Sequence, residues 1–598
     1  MRKALLIALL LIAAPLQLIQ HEDAFEAENE DKLVINRSPS PRPYITTVLE
    51  SNHYHASVNT MFFERINETG QVPSPGESEL FAAGWACAMS ANPPDECSLS
   101  DSTGTNISIP DGVMCGSPLF AGSFKSNGSF NGVIGGSCYG DRVDAMIQLS
   151  NGDMLYGGSF CWVGGPAQSC NLSNSGVQLD PIANDDAFIL RVDSNGTWKW
   201  GQVLGGLGSW DIVTDLAEAP NGDIYAMISY CNQNNGNECE IESDLSYTNT
   251  TVGEQDLLLV KISSSGSMQW ARNMGSPAND AGIANHWYPL RERGLFSTPD
   301  GGVIVGSSGC EQQGQGCSFE FNDDDYFVGH KSFIAKYDAD GDLEWYEEID
   351  ASFLQTMSKV DNHTILIGGN HFTQVLTLGA LSIAHSNSGT HADAWWATYN
   401  HTSRTWESLQ GSNETADVYL HSSAVGPKGE IILGGSACWS VTPCDIEIGG
   451  LNATNLGFGT GFIIKLNHSS DDAWMMTIED STSNPTAINQ LDVSQWGDVG
   501  FSGRVCVGGG SSCTVSIDGY TYSPRGDNGS LIVRVQQDAD YDGIYHARDD
   551  CPNGVTGWIS NLTSDIDGDG CRDIDEDQDD DGDGIQDIND GCPLVFGN

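Results

Sequence analysis

The chain has 598 residues, of which 39% are hydrophobic and 70 are glycine. Its 81 acidic residues outnumber 25 basic ones and leave a net charge of −56. This charge argues against binding to nucleic acid or an anionic membrane, because both interactions depend on Lys and Arg. The hydrophobic content excludes wholesale disorder, and the glycine content fits a turn-rich all-β protein.

Residues 1–25 have the pattern of a secretory signal peptide. Arg2 and Lys3 precede an apolar run that is short for a membrane span and is interrupted by Pro15. No later run is long and apolar enough to cross a bilayer. We therefore expect a secreted, extracellular or cell-surface protein with no transmembrane anchor beyond the signal peptide. An uncleaved anchor is the alternative.

A polar leader, assigned to 26–60, follows the signal peptide. It contains the proline-rich stretch SPSPRPY and then ITTVLES, and HASVNTMFFERI continues past its end. The last two stretches have strand-like composition. We interpret the leader as a linker that could donate a strand to the region after it.

The region 61–537 is a repeat, seen most completely from Val143 to Gly206. In that copy AMIQLS and DMLYGGSF flank Asn151-Gly152, a dipeptide that favours a two-residue hairpin turn. AFILRVD and WKWGQVLGG flank a second such turn. The pattern therefore predicts four or five short strands in each copy.

Seven copies of this pattern occur, spaced by about 60 to 80 residues, which indicates blades or a solenoid rather than separate domains. One copy has too few strands to bury both faces alone, so neighbouring copies must stack. The turn residues that mark the copies are Gly76, Gly152, Gly222, Gly301, Asn362, Gly429 and Gly497.

From Gly70 to Asp538 the copies resemble the prokaryotic β-propeller repeat family called SBBP. A Gly-Gly strand is followed in several copies by D-x-F-x-x-K-x-D-x-x-G-x-x-x-W, although copy one lacks the Asp and the Trp. The resemblance implies a seven-bladed β-propeller. The once-per-copy tryptophans are interpreted as blade core rather than as a sugar-binding platform: Trp200, Trp270, Trp345, Trp406 and Trp474.

The last copy breaks off after SLIVRVQQD, before its fourth strand. Closing the ring would remove exposed sheet edges, which otherwise invite aggregation. We therefore predict that the N-terminal segment, within Ile45–Ile66, supplies the missing strand.

Fourteen of the 17 Cys lie in the repeat region, and most form close pairs after the Gly-Gly strand. Zinc is the competing interpretation, but the pairs have no consistent His partners and the chain carries an export signal. We predict disulfides within copies, with Cys115 and Cys138 as a seventh pair. The other pairs are Cys87 with Cys97, Cys161 with Cys170, Cys231 with Cys239, Cys310 with Cys317, Cys438 with Cys444 and Cys506 with Cys513.

The final segment, 538–598, is strongly acidic. Runs of D-x-D-x-D-G begin at Asp538, Asp565 and Asp579, and an overlapping run begins at Asp577, so the register of the third stays open. Alternate carboxylates can surround one calcium ion, while the Gly permits the sharp turn. A solvated acidic tail is the alternative.

With Cys-Pro at 551–552 and 592–593, these runs resemble thrombospondin type 3 repeats, departing from that pattern at His546. The resemblance implies a loop-rich tail stabilised by Ca²⁺, with Cys551 paired to Cys571 and Cys592 unpaired. The candidate metal ligands are Asp538, Asp540, Asp542, Asp549, Asp565, Asp567, Asp569, Asp573, Glu576, Asp577, Asp579, Asp581, Asp583, Asp587 and Asp590.

No catalytic motif is present, so no catalytic residue is assigned. His286, His330, His371 and His391 are scattered along the chain. We favour a non-enzymatic role: a secreted calcium-binding surface or matrix protein whose propeller face binds an extracellular protein or glycan, as in adhesion. The alternative is a secreted hydrolase or lyase that acts on extracellular polymers through residues on propeller loops. Fold alone cannot choose between them.

Overall fold

The computed structural model describes residues 43–595 with gaps. The longer gaps span 66–72, 74–78, 87–97, 101–105, 109–118, 125–129, 132–140, 162–171, 232–239, 281–293, 311–316, 385–390, 467–472, 507–512 and 523–528. The predicted signal peptide, residues 1–25, and most of the predicted leader lie outside the described residues. No helix occurs in the described part, and nothing there forms an apolar helix of membrane-spanning length.

The chain forms 42 β-strands among the described residues. The first seventeen are β1 (Pro43–Ser51), β2 (Ala56–Phe63), β3 (Leu80–Ala86), β4 (Ser98–Ser100), β5 (Asn106–Ser108), β6 (Leu119–Phe124), β7 (Phe130–Asn131), β8 (Arg142–Gln148), β9 (Met154–Phe160), β10 (Leu172–Asn174), β11 (Val177–Leu179), β12 (Asp186–Val192), β13 (Trp198–Gly206), β14 (Ile212–Glu218), β15 (Ile224–Tyr230), β16 (Glu240–Ser243) and β17 (Thr248–Thr250).

The next fourteen strands belong to the middle of the chain. They are β18 (Asp256–Ile262), β19 (Met268–Met274), β20 (Leu295–Ser297), β21 (Val303–Gly309), β22 (Ser318–Glu320), β23 (Tyr326–Val328), β24 (Lys331–Tyr337), β25 (Leu343–Asp350), β26 (Ser352–Lys359), β27 (Thr364–His371), β28 (Val375–Leu378), β29 (Leu381–Ala384), β30 (Asp393–Asn400) and β31 (Thr405–Gly411).

The remaining strands complete the repeat region. They are β32 (Val418–Val425), β33 (Ile431–Ala437), β34 (Cys444–Ile448), β35 (Leu451–Leu456), β36 (Thr460–Leu466), β37 (Trp474–Asp480), β38 (Ala487–Val493), β39 (Val499–Val505), β40 (Val515–Ile517), β41 (Tyr520–Tyr522) and β42 (Gly529–Val535).

These strands form a seven-bladed propeller of antiparallel sheets. From the innermost strand outward, the blades are β2-β3-β6-β7, β8-β9-β12-β13, β14-β15-β18-β19, β20-β21-β24-β25, β26-β27-β30-β31, β32-β33-β36-β37 and β38-β39-β42-β1. A short hairpin is inserted between the second and third strands of each blade. Three of these hairpins extend the outer strand of the preceding blade, because β4 pairs with β1, β16 with β13, and β40 with β37.

The N-terminal strand β1 occupies the fourth position of the seventh blade. It pairs antiparallel with β42, with Tyr44 opposite Arg534 and Leu49 opposite Ser530. The expected donor segment Ile45–Ile66 is thus divided, because its second half is β2, the innermost strand of the first blade. The ring therefore starts before residue 61, and copy one forms a blade of its own without the Asp and the Trp.

Close packing between blades explains the repeated Gly-Gly pair in the second strand. A Cβ at Gly157 would lie 2.5 Å from Val213 in the next blade, and one at Gly368 would lie 2.5 Å from Leu420. A Cβ on the following glycine, Gly158, would lie 2.0 Å from a backbone oxygen of the first strand. The first glycine therefore leaves space for side chains of the neighbouring blade. The second glycine leaves space for the backbone of the adjacent strand in its own sheet.

The first strand of nearly every blade carries a β-bulge, which was not anticipated from the sequence. The pairing register slips across one residue, for example between Val143 and Ala145 or between Leu354 and Thr356. In the six blades where the bulge occurs, the extra residue is polar: Asn59, Asp144, Thr214, Gln355, His421 and Asn489. An apolar–polar–polar–apolar pattern such as Val58-Asn59-Thr60-Met61 is the sequence signal of this feature in four of the six blades.

The recurring tryptophans were expected in the blade core, but each is only half-buried and lies on the outer strand or at its start. Their indoles pack at the edge of the apolar clusters. Hydrogen bonds show that two of them reach the next blade, since Trp200 Nε1 donates to the Ser264 carbonyl and Trp270 Nε1 to the Ala339 carbonyl.

The described residues include three disulfides within the propeller, each inside one copy as expected. They join Cys310 to Cys317, Cys438 to Cys444 and Cys506 to Cys513. Cys161 and Cys231 are also disulfide-bonded. Disulfides are consistent with an extracellular protein.

The other cysteines predicted to pair in the propeller lie outside the described residues, so their pairing stays a prediction. They are Cys87 and Cys97 of the first predicted pair, Cys115 and Cys138 of the seventh, and Cys170 and Cys239, the expected partners of Cys161 and Cys231.

Candidate metal centres

Three clusters of carboxylates lie in the acidic C-terminal segment, which has no regular strand among its described residues. In each cluster one oxygen from every member lies within 4.8 Å of the others. The clusters are Asp540/Asp542/Asp549, which we name site 1, Asp565/Asp567/Asp569, site 2, and Asp573/Asp577/Asp580, site 3.

Backbone N–H groups fix the shape of the loop that forms site 2. Asp565 is buried, and its carboxylate accepts hydrogen bonds from the N–H groups of Gly568, Asp569 and Gly570. Gly568 has a φ of 77° and Gly570 one of 86°, a left-handed conformation that residues with a side chain rarely adopt. The Gly of the D-x-D-x-D-G pattern is therefore required by the turn.

The hydrogen bonds decide the register of the third run, which the sequence left open. In the second loop the N–H of Gly570 donates to the carboxylate of Asp565, five residues earlier. In the third loop the N–H of Gly584 donates in the same way to the carboxylate of Asp579, also five residues earlier. Asp580 N–H donates to Asp587, which matches the bond from Ile566 to Asp573. The third loop therefore begins at Asp579, and the overlapping run from Asp577 is not a separate loop.

Neighbouring loops touch one another, and a disulfide links the first two. Cys551 is bonded to Cys571, as the family resemblance implied, and Cys592 is free and exposed. A Cβ at Gly570 would lie 2.4 Å from an oxygen of Asp549, and one at Gly582 would lie 2.7 Å from an oxygen of Asp567. The loops are stacked closely enough that only glycine fits at these two positions.

The clusters differ from the expected ligand sets in part. Site 3 brings Asp573 and Asp577 together with Asp580, which the spacing did not single out. Glu576 is not a member of site 2, and its Oε1 accepts the N–H of Val555. Asp579, Asp581, Asp587 and Asp590 belong to none of the three described clusters, and Asp538 and Asp583 lie outside the described residues.

Burial, helped by neighbouring negative charges, raises the pKa of several of these carboxylates. Burial raises the pKa of Asp569 to about 7 and that of Asp567 to about 6, and nearby Asp charges push in the same direction. Asp580 in site 3 is affected likewise, with its pKa raised to about 6. A bound cation would remove this repulsion, because an opposite charge favours the ionised form.

The donor set fits a hard cation. Asp540 is only 1% exposed, and its Oδ1 has no hydrogen-bond partner in the described chain. A buried carboxylate oxygen is stable when a donor or an ion contacts it. Oxygen-only clusters favour Ca²⁺ over Zn²⁺, which prefers Cys and His. A further group, Asp480 with Cys506 and Cys513, does not fit a metal because the two Cys form a disulfide.

No family model matches this chain, and no curated protein matches it in sequence. Solved structures do match. The propeller of Dos1 is 8% identical, with 64% of this chain and 89% of that chain covered and a TM-score of 0.25. A Hadza microbial sialidase is 11% identical, with 82% and 94% covered and a TM-score of 0.31.

An apocarotenoid oxygenase of Synechocystis is 10% identical, with 74% of this chain and 93% of that chain covered and a TM-score of 0.30. Identities and TM-scores this low carry no argument about activity. The seven-bladed propeller is established by the strand pairings of this chain.

Proposed function

We propose that the chain is a secreted calcium-binding protein of the cell surface or matrix. Its C-terminal segment folds around Ca²⁺ in the manner of thrombospondin type 3 repeats. Its SBBP-like propeller presents a face to an extracellular protein or glycan. The observation that carries the calcium assignment is the set of three carboxylate clusters that follow one another along the segment.

The architecture of the tail supports a metal-dependent fold. Several of its large apolar side chains are exposed, with Ile559 62%, Ile574 83% and Ile588 88% accessible, and Trp558 is only half-buried. The described loops therefore have little apolar core of their own, and the disulfide described there joins only the first two of them. Metal binding can supply the missing folding free energy, since the ion both neutralises charge and fixes the loops.

A specific reaction is not proposed for the propeller. The central cavity has no His among its described lining residues. The Nδ1 atom of His391 lies 3.6 Å from a carboxylate oxygen of Asp417. His371 on β27 lies opposite Asp393 on β30, and neither histidine is among the described lining residues of the cavity. His330 packs against Phe353, and His286 lies outside the described residues. The three described histidines, His330, His371 and His391, are thus not among the described lining residues of this cavity.

Calorimetric titration of the full chain with Ca²⁺ tests the proposal. We expect saturable Ca²⁺ binding that is stronger than Mg²⁺ binding, because the loops offer many flexible oxygen ligands. Asp540→Asn should lower the measured stoichiometry or affinity. Asp575→Asn is the matched control, because Asp575 is exposed and pairs with Arg572 outside the clusters.

Absence of saturable Ca²⁺ uptake would contradict the proposal. Equal losses in Asp540→Asn and Asp575→Asn would also contradict it, because they would indicate diffuse attraction of cations by an acidic tail. Glycan and protein arrays, probed with and without calcium, test the binding role of the propeller separately.

A further inference from the structure

A cavity of about 300 Å³ lies on the axis of the propeller. Its wall is formed by the first strands of six blades, including Thr60 of β2, Asp144 of β8, Thr214 of β14 and Gln490 of β38. This volume equals that of about ten water molecules. It lies at the lower end of the range for small-molecule pockets, which is roughly 300 to 1,000 Å³.

The bulged first strands make this cavity polar. Bulges re-aim side chains and are common next to binding sites, and the bulge residues Asp144 and Thr214 both line the cavity. Gln490 also lines it and is 4% exposed, yet its Oε1 has no hydrogen-bond partner in the described chain. A buried acceptor without a partner is costly, so the Gln490 amide oxygen is available to a donor bound in the cavity.

The cavity carries a negative charge among its described lining residues. These residues include three carboxylates, Asp144, Asp215 and Glu218, and one cationic side chain, Lys359. Glu218 accepts hydrogen bonds of 2.7 and 2.8 Å from the N–H and hydroxyl of Ser150. Both donors are neutral, so they orient the Glu218 carboxylate without cancelling its charge.

Another part of the wall is apolar. Met146, Leu216 and Phe296 line the same cavity as the carboxylates. Asp144 differs from Glu218 because its Oδ2 is 3.0 Å from the Arg142 guanidinium. The cavity therefore joins hydrogen-bond acceptors and negative charge to a hydrophobic surface, the combination that suits an amine with a short hydrocarbon chain.

We propose that this axial cavity binds a small alkylammonium compound. Its carboxylates supply the counter-charge, Gln490 accepts a hydrogen bond, and the apolar wall packs against the hydrocarbon chain. The site goes beyond the proposed calcium-dependent surface role and does not depend on it.

Butylamine, 1-butanol and butyrate form a matched set of probes, because they share a hydrocarbon chain and differ in the charge of the head group. Binding to the full chain is measured by calorimetry and ligand-observed NMR, in excess Ca²⁺ so that the tail carboxylates are occupied. We expect butylammonium to bind about tenfold or more tightly than butanol, as hydrogen bonds to charged groups are the stronger ones. Butyrate should not bind.

Two substitutions change the cavity in opposite directions. Glu218→Gln keeps an acceptor for Ser150 and removes a negative charge, so it should weaken butylammonium binding. Lys359→Gln removes the positive charge and should strengthen it, an effect that damage to the fold would not produce. Glu407→Gln is the control, because Glu407 is exposed on β31, outside the cavity lining.

The proposal is overturned if butylammonium binds no better than butanol. It is also overturned if Glu218→Gln behaves like Glu407→Gln, or if Lys359→Gln weakens binding. Loss of calcium binding in the tail would leave the result of this experiment unchanged, so the two proposals fail separately.

Discussion

The indole N–H of Trp200 in the second blade donates a hydrogen bond of 3.0 Å to the carbonyl of Ser264 in the third. The same indole covers Gly266, which occupies the tight turn between β18 and β19 with a φ of 91°. Trp270 repeats this contact one blade later, at Gly341. The outer strand of one blade thus contacts a turn of the next blade, which couples the packing of the two blades.

Substitution of Gly266 tests this contact. Gly266→Ala should destabilise the propeller by about 1 to 2 kcal/mol for the left-handed backbone. The new Cβ would lie 2.8 Å from the indole of Trp200. This overpacking should destabilise the propeller by about 1 to 3 kcal/mol more. Gly196→Ala is the control, because Gly196 has the same turn conformation and no atom within 4 Å of a Cβ. Equal losses of thermal stability in the two variants would contradict the role of Trp200.

Buried carboxyls between the second and third blades should make stability depend on pH. Burial raises the pKa of Asp185 to about 7, opposed by Arg142, and raises that of Asp186 to about 6. Burial also raises the pKa of Asp211, one residue before β14. A carboxyl whose pKa is higher in the folded than in the unfolded protein stabilises the fold at low pH, where it is protonated. This stabilisation is lost as the pH rises through the folded-state pKa.

Asp185→Asn should therefore stabilise the protein at about pH 8 relative to wild type, with a smaller gain at about pH 5. Asparagine tolerates the left-handed φ of 62° at this position. Thermal unfolding across this pH range, with calcium present, measures the difference. Asp193→Asn is the control, because the pKa of half-buried Asp193 is lowered rather than raised, chiefly by its hydrogen bond with Lys199. A gain for Asp185→Asn that does not grow with pH would contradict this assignment.

Removal of calcium should loosen the tail while the propeller remains folded. The tail has exposed apolar residues and crowded carboxylates, so without cations both repulsion and chain entropy oppose its loops. Hydrogen exchange of the full chain, with calcium and with chelator, measures the effect. Amides such as those of Gly568, Gly570 and Gly584 should exchange faster in chelator, and those in β39 should not. Equal protection in both conditions would support a solvated tail that does not depend on metal.

Each short disulfide should stabilise its own loop without being needed for ring closure. Cys438 and Cys444 are six residues apart, and a loop this short is worth about 2.5 kcal/mol on the chain-entropy estimate. The Cys438→Ala/Cys444→Ala double variant should therefore unfold at lower temperature but retain the strand content of wild type by circular dichroism. Loss of that content would contradict the prediction.

Peptide mapping without reduction should find the remaining disulfides within their own copies. We expect it to place Cys87 with Cys97, Cys161 with Cys170 and Cys231 with Cys239, because short spacings after the Gly-Gly strand favour pairing inside one loop. Linkages between different copies would contradict this expectation.

Much of the propeller could be predicted from local sequence because its elements depend on neighbours in the chain. Asn151-Gly152 and Asn195-Gly196 mark tight turns, and Gly152 and Gly196 adopt the left-handed φ values of 86° and 79° that such turns require. The strands between them follow from alternating polarity. The truncated last copy also indicated a strand donor, since a sheet edge without a partner is a local feature of the sequence.

Contacts between distant residues could not be predicted in this way. The glycines of the Gly-Gly strand pack against the next blade, and half-buried Trp200 binds a turn 64 residues ahead. The bulges that line the axial cavity become visible only when six first strands surround it.

By itself, the sequence determined the number of blades, the Cys pairs of the described copies and the presence of carboxylate loops, because short spacings specify them. The tertiary structure decided that β1 rather than β2 closes the ring, that the third acidic loop starts at Asp579, and that Asp580 joins Asp573 and Asp577. Spacing cannot decide these points, because several registers place carboxylates at alternate positions equally well. Only the hydrogen bonds between stacked segments distinguish one register from another.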